Sequence, residues 1–278
     1  MPTLLMSDPI QPVSNGNSCR LCGNQVAAVF SLQLLQKYDV EYLRCSVCES
    51  LQTERPYWMQ EAYKSNLSIL DTGAAQRNLS NLAATFAVSK LLHLSDVVDF
   101  GGGDGLLCRL LRDYKINCYV NDKYAAATYA RAFATPGFAS PGILLAFEVL
   151  EHFNSPFNDL KTLFAWNPQV ILASTVIYSG QGADWWYLSP ESGQHVFFYS
   201  EKALHFIAKS YDYKLLIGSG HFLFLKSDLA GRAKSFFVKF ILRRAVLRMI
   251  SAAMRLLPTR GVQSDFDALR SSRKDLDS

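Results

Sequence analysis

From Val97 onward the chain alternates short apolar runs with stretches whose apolar residues recur every three or four positions. The runs Val97–Gly101, Asn117–Asn121, Ile143–Glu148, Gln169–Thr175, Lys214–Gly218 and His221–Lys226 have the length and composition of strands. Between them, Gly105–Tyr114, Tyr124–Phe133, Pro156–Trp166 and Ser200–Ser210 carry helical spacing. Apolar strands alternating with amphipathic helices predict an α/β domain whose parallel sheet is covered on both faces. The last two strands are parted only by Ser219-Gly220, so they predict a tight antiparallel hairpin at the end of that sheet.

The flanking pattern divides the rest of the chain. Residues 1–17 are rich in Pro, Ser, Asn and Gly and read as an unstructured lead-in; residues 18–55 hold a cysteine module. A connector, 56–93, has helical spacing at Trp58–Tyr63 and again at Leu79–Leu92, and could cover part of a ligand bound to the main domain, 94–227. Residues 228–260 predict a basic amphipathic helix, and 261–278 a polar, mobile tail. There are no internal repeats and no low-complexity tract.

Composition narrows the class. Of 278 residues, 49% are hydrophobic and 19% charged, the balance of a folded globular protein. No apolar run is long enough to span a membrane. The start, Met1-Pro2-Thr3-Leu4-Leu5-Met6, lacks the basic and apolar regions of a signal peptide, so a cytoplasmic location is expected. A formal net charge of +4 is too small to argue for nucleic acid, and no nucleic-acid partner is expected. The charge is unevenly spread. Between Lys226 and Arg260 nine Lys and Arg residues face Asp228 alone, so the remainder of the chain is net acidic. Phe236, Phe237, Phe240, Ile241, Leu247, Ile250 and Met254 interleave with those bases at helical spacing. Such a helix could rest peripherally on the inner, anionic face of a membrane. The alternative is packing on the protein body or on a second subunit in a homodimer.

The first strand of the main domain ends in Asp99-Phe100-Gly101-Gly102-Gly103-Asp104-Gly105 and runs straight into a helix. Glycines permit the positive backbone angles of a tight turn and let main chain approach a ligand, and the helix start offers free amides. In dinucleotide enzymes such a turn holds a pyrophosphate. An acidic residue two positions before the glycines would repel phosphate, but it suits a ligand with a positively charged amino-acid portion. Asp122, at the end of the second strand, is placed to reach ribose hydroxyls or to cap a helix before Tyr124. Phe147-Glu148-Val149-Leu150-Glu151-His152 lies at the carboxyl end of a later strand, where open α/β sheets bind ligands.

Together, Asp99-Phe100-Gly101-x-Gly103-x-Gly105, Asn121-Asp122 and Phe147-Glu148-Val149-Leu150-Glu151-His152 resemble the successive motifs of class I S-adenosylmethionine-dependent methyltransferases. The last motif is typical of a large subgroup acting on small molecules, lipids, quinones and sugars. The resemblance covers roughly Val97–Lys226. It implies a Rossmann-like methyltransferase sheet and S-adenosylmethionine as cofactor. It also implies that Asp99, Gly101, Gly103, Phe147 and Glu148 lie on the methionine side, with Asp122 on the ribose. Relatives often carry an acidic residue after the third strand to bind adenine. Here that region is Phe138-Ala139-Ser140-Pro141-Gly142, so adenine is expected to meet backbone and apolar groups.

Cys19-x-x-Cys22 and Cys45-x-x-Cys48 supply four thiols in two knuckles, a spacing that predicts a small ribbon around structural zinc. Cys108 and Cys118 are isolated. A four-cysteine module followed by such a methyltransferase domain resembles deoxysugar C-methyltransferases and related polysaccharide-cluster enzymes. That resemblance implies a sugar or glycan-pathway substrate. The long aromatic segment Tyr178–Tyr199 is the candidate acceptor side. His195 within it is a candidate general base, or else a residue that holds the loop. His152 is the weaker candidate and is expected to shape the site beneath the methionine; Glu151 reads as a helix cap. Methylation of another small metabolite or a lipid-linked acceptor, or a non-catalytic scaffold that keeps the cofactor fold, are the alternatives.

Overall fold

A computed structural model describes residues 18–64 and 71–276; the lead-in expected over 1–17 lies outside them. The chain forms two compact units whose segments interleave. Among the described residues, the first collects 18–62, 151–162 and 177–204, and the second 63–64, 71–150, 163–176 and 205–276.

The first unit is built on a four-stranded antiparallel sheet. Strands β1 (Val26–Leu34) and β2 (Tyr38–Cys45) form a hairpin in register from Val26 opposite Cys45 to Leu34 opposite Tyr38, with a bulge between Ala28 and Phe30. β3 (Leu51–Thr53) adds to β2, and helix α1 (Met59–Ala62) follows. Within this unit β3 also pairs with a short strand from far along the chain, Phe197–Phe198. The aromatic segment expected as a loop therefore ends as the fourth strand of the cysteine-bearing sheet.

The second unit opens with helix α2 (Ala74–Leu92) and a six-stranded sheet: β4 (Asp96–Phe100), helix α3 (Leu106–Asp113), β5 (Asn117–Asn121) and β6 (Ile143–Phe147). Helix α4 (Pro156–Ala165), β7 (Val170–Ser174), the already described β8 (Phe197–Phe198), helix α5 (Glu201–Ser210), β9 (Tyr213–Ile217) and β10 (Phe222–Lys226) complete the chain order of strands. The order across this sheet is β5-β4-β6-β7-β10-β9, with β5, β4, β6 and β7 parallel and β10 antiparallel to both neighbours. This is the α/β architecture with a terminal hairpin that the apolar runs predict. β6 and β7 are buried on both faces except at Phe147, which is why they read as continuous apolar stretches. Successive strands lie to one side of β4 and then to the other, so the order reverses there. In open α/β sheets ligands bind outside the carboxyl ends of strands at such a reversal.

Three segments differ from expectation. Tyr124–Phe133 forms turns and a single 3-10 turn, Arg131–Phe133, in place of a helix. Its amides are taken elsewhere: the Asp122 carboxylate accepts those of Tyr124 and Ala125, and the Asp104 carbonyl accepts that of Tyr129. Only Ala130 and Phe133 are buried, too few to fix an amphipathic helix. The basic segment is two helices, α6 (Arg232–Ile241) and α7 (Arg244–Met254). It breaks at Leu242, which is fully buried and whose carbonyl accepts the Ser219 amide, diverting it from the helical ladder. Finally, the segment expected as a polar tail is helix α8 (Arg260–Leu276). Asp265 on α8 pairs with Arg109 and Arg112 of α3 at 2.8 Å. Gly261 sits so close to the Arg112 carbonyl that a Cβ would come within 1.7 Å of it.

Candidate functional site

The carboxyl end of β4 folds into a cradle. Gly101, Gly103 and Gly105 all take positive φ, at 68°, 58° and 81°, the conformation that favours glycine. Their sides differ in purpose. A Cβ on Gly101 would lie 2.8 Å from Val149, and one on Gly105 would lie 3.0 Å from Ala130, whereas Gly103 faces open space. Asp99 lies beneath the turn, 3% exposed, where a Cβ on Gly102 would come within 2.5 Å of its Oδ2. That oxygen is buried with no hydrogen-bond partner. Burial, reinforced by the negative charges of Asp122 and Asp104, pushes the Asp99 carboxyl up to about 7.

Asp122 ties the cradle to the end of β5. Its Oδ2 accepts the Gly103 amide at 2.9 Å, and its Oδ1 accepts the amides of Tyr124 and Ala125 at 2.7 Å. An ionised carboxylate has about four lone-pair sites, so one remains for a ligand hydroxyl. Capping therefore occurs, though it closes a turn and no helix follows. Beside Asp122 lies a groove of about 320 Å³, walled by Ala125, Ala126, Ala127 and Ala134 and bordered by Arg131. Among these lining residues Asp122 is the sole carboxylate. Connector residue Tyr63 stacks on Tyr124 with ring centroids 5.7 Å apart.

At the end of β6, Glu148 has φ 53°, a costly angle for a side-chain-bearing residue. Ser174 on the neighbouring β7 holds it: the Ser174 hydroxyl donates to Glu148 Oε1 at 2.6 Å, and the Ser174 carbonyl accepts the Glu148 amide at 3.1 Å. Phe147 meets the His221 ring edge-on at 5.6 Å. His221 in turn bonds Asn81 on α2 at 2.9 Å, and burial pushes its imidazole down to about 4. Ser174, Asn81 and His221 support the site without belonging to any motif. Their pairings are long-range, and nothing in local spacing marks them.

In the first unit, the register that sets Val26 opposite Cys45 brings the two cysteine knuckles together. Each knuckle ends in a left-handed residue after its second cysteine, Gly23 (φ 75°) and Glu49 (φ 62°). The four sulfurs lie within 4.8 Å of one another, with Cys19–Cys48 and Cys22–Cys45 at 3.6 Å. A zinc tetrahedron with bonds of about 2.3 Å has edges of about 3.8 Å, whereas a disulfide would need about 2.05 Å. Asn24 Nδ2 and the Val47 amide each donate to a cysteine sulfur at 3.4 Å. Hydrogen bonds from Cys19, Cys48 and Asn24 hold the Cys22 thiol low, while its neighbours and burial push Cys19 up. Four thiols at this spacing cannot all ionise without a cation among them. The donor set fits zinc.

The same unit holds the two candidate histidines, His152 and His195. The 3-10 turn Leu150–His152 places Glu151 fully buried, with Oε1 accepting the Tyr187 hydroxyl at 2.7 Å. Glu151 is therefore not a cap: the N-terminus of α4 is closed by Ser155 and Asp159, whose Oδ2 accepts the Ser155 amide at 2.9 Å. His152 and His195 meet edge-to-face at 5.0 Å. Desolvation, and then the neighbouring His195, pushes His152 down to about 3, so it is neutral and a weak base near pH 7.

The sequence profile of a family described as a methyltransferase domain matches residues 41–216, more than half of the chain. The chain belongs to that family. Solved structures to which the chain is similar include the methyltransferase domain of bacterial CtHen1-C, at 20% identity over 54% of this chain and 98% of that one, with a TM-score of 0.41. Another is the magnesium protoporphyrin IX methyltransferase of Synechocystis PCC 6803 with bound SAH, at 11% identity, 62% and 97% coverage and a TM-score of 0.39. A third is an O-methyltransferase family protein from Burkholderia thailandensis, at 10% identity, 61% and 67% coverage and a TM-score of 0.39. No curated protein matches the chain. This protein is an S-adenosylmethionine-dependent methyltransferase. The matched span takes in the glycine cradle, Asp122, Glu148, both histidines and the second cysteine knuckle. Cys19 and Cys22 lie outside it.

Proposed function

We propose that this methyltransferase binds S-adenosylmethionine over the Gly101–Gly105 cradle and methylates a sugar or glycan-pathway intermediate, with structural zinc at the four cysteines. The buried Asp99 carboxyl, whose Oδ2 has no hydrogen-bond partner, supports the placement of the donor, because a cationic amino-acid portion compensates it as phosphate could not. The remaining acceptor site of Asp122 suits a ribose hydroxyl, the alanine-walled groove an adenine, and Phe147 and Glu148 the methionine side. When bound, the donor supplies a methyl group on a sulfonium, whose loss leaves a neutral thioether. Alignment then carries much of the rate, and the rigid turn at Glu148 serves that end.

The acceptor reading rests on Trp186. It is 74% exposed, yet its neighbours Tyr187 and Leu188 are buried, and Trp185 packs on Tyr178, Tyr187 and Phe198. A fixed aromatic plate open to solvent suits the apolar face of a sugar ring. His195 and His152, from the same unit, are the groups we assign to activating the acceptor. The test is product analysis with labelled S-adenosylmethionine and candidate nucleotide-sugars or glycans. Trp186→Ala is expected to raise KM about two- to tenfold with kcat unchanged; an unaltered KM removes the sugar-stacking role.

A lipid-linked acceptor is the second reading, and the face of α6 favours it. Phe236, Phe237 and Phe240 are exposed beside Lys234, Lys239 and Arg243, while Val238 and Leu242 are buried. The helix thus packs on protein with one face and leaves a basic aromatic face open, a chemistry that fits an anionic bilayer surface. Among the described residues, no helix is long and apolar enough to cross a membrane.

A further inference from the structure

One carboxylate oxygen and two imidazole nitrogens, from Glu151, His152 and His195, lie within 4.8 Å of one another in the first unit. We propose that these three residues form a second metal site, distinct from the four cysteines, which binds a divalent transition-metal cation and presents open coordination positions to a hydroxyl oxygen of the acceptor.

The tautomers suit ligation. His152 Nδ1 lies 3.1 Å from the Gln194 carbonyl and His195 Nδ1 lies 2.7 Å from the Tyr187 carbonyl. A carbonyl only accepts, so each Nδ1 carries the hydrogen and each Nε2 carries the lone pair. Metal-binding histidines are oriented in this way, with the second nitrogen donating to a backbone carbonyl or carboxylate. The carboxylate is also prepared. Tyr187 fixes Glu151 Oε1 through its hydroxyl while its carbonyl fixes His195, so one residue orients two ligands. The other oxygen, Glu151 Oε2, is buried without a hydrogen-bond partner. An orphaned buried carboxylate oxygen is costly unless a cation meets it.

The scaffold is rigid. The Val196 amide donates to the Glu151 carbonyl at 2.9 Å, which ties the two ligand-bearing segments together, and the Gln194 side chain anchors the His195 segment to α1 by donating to the Ala62 carbonyl at 2.8 Å. Both histidines are only partly buried, leaving an approach for water or substrate. Two imidazoles and one carboxylate with further positions open is a set that zinc, manganese, iron or cobalt accepts, whereas magnesium and calcium prefer oxygen alone. With bonds of about 2.1 Å the donors of a tetrahedral site stand about 3.4 Å apart, so donors that lie up to 4.8 Å apart draw in by up to about 1.4 Å on binding.

The catalytic use of this site rests on the methyl-transfer reading above; the metal site itself does not. A hydroxyl bound to such a cation loses its proton far more readily. Glu151, His152 and His195 would hold the cation, which would acidify a bound acceptor hydroxyl so that its proton passes to solvent. The histidines then act as ligands.

The test is a titration of the purified full-length protein, its cysteine site left loaded, with cobalt(II) chloride. One equivalent is expected to bind with the weak visible bands of nitrogen- and oxygen-ligated cobalt and without an intense sulfur-to-metal charge-transfer band. His195→Ala and Glu151→Gln should each weaken that binding at least about tenfold. Their thermal unfolding and S-adenosylmethionine binding report whether the variant is folded, and His195→Ala serves if the buried Glu151 variant is not. Absence of the visible bands in wild type, or their survival in folded His195→Ala, overturns the site. If cobalt binds and S-adenosylmethionine does not, the site stands and its use in methyl transfer falls. If the donor binds and cobalt does not, the metal inference alone fails.

Discussion

At the scale of single residues, Asp99 makes the clearest prediction. Its carboxyl, at 3.8 when unperturbed, is raised to about 7 by burial. A raised carboxyl favours the fold most fully below 3.8, and its contribution is lost as pH rises to about 7. Asp99→Asn should therefore flatten the decline in stability over that window, as read by urea unfolding at several pH values. A cationic donor prefers the ionised form. Its affinity should fall about tenfold from pH 8 to pH 6 in wild type and change little in Asp99→Asn. The glycine spacing and Asp122 were legible in the sequence because local backbone chemistry demands them. The burial of Asp99 was not, nor was the pairing of Tyr187 with Glu151, since both depend on residues far apart in the chain.

Elements follow the same division. Parallel strands buried on both faces leave continuous apolar runs, so β6 and β7 were readable to within a residue or two, as were β4, the alternately buried edge strand β5 and the closing hairpin. Tyr124–Phe133 misled because alanine-rich spacing suits a helix, while Asp122 and Asp104 claim its amides. α8 was hidden for the opposite reason: its sequence is polar, and what holds it are ion pairs to α3 and the contact at Gly261. That contact is testable. Gly261→Ala should cost about 1–3 kcal/mol by forcing α8 off the Arg112 carbonyl, measured as a lower urea midpoint. An unchanged midpoint would mean that α8 does not pack there.

For the molecule as a whole, the sequence suggested modules laid end to end, whereas the structure interleaves two units. Tyr178–Tyr199 reads in sequence as a long acceptor-side loop, yet it supplies a strand and His195 to the cysteine-bearing unit. Strand pairing at that distance leaves no periodic trace. The surface of α6 belongs to this scale too. Replacing Phe236, Phe237 and Phe240 together by Ser spares the buried Val238 and Leu242 and should abolish binding to anionic liposomes; undiminished binding would remove α6 from the membrane reading.

The central claim, a methyl-donor site over the glycine cradle, is tested most directly by calorimetry with S-adenosylmethionine on wild type and Asp122→Ala. The expected result is one donor bound per chain with proton release near pH 7 as Asp99 ionises, and affinity at least about tenfold weaker in Asp122→Ala. Folded wild-type protein that binds no donor, or a folded Asp122→Ala that binds it undiminished, would contradict the site.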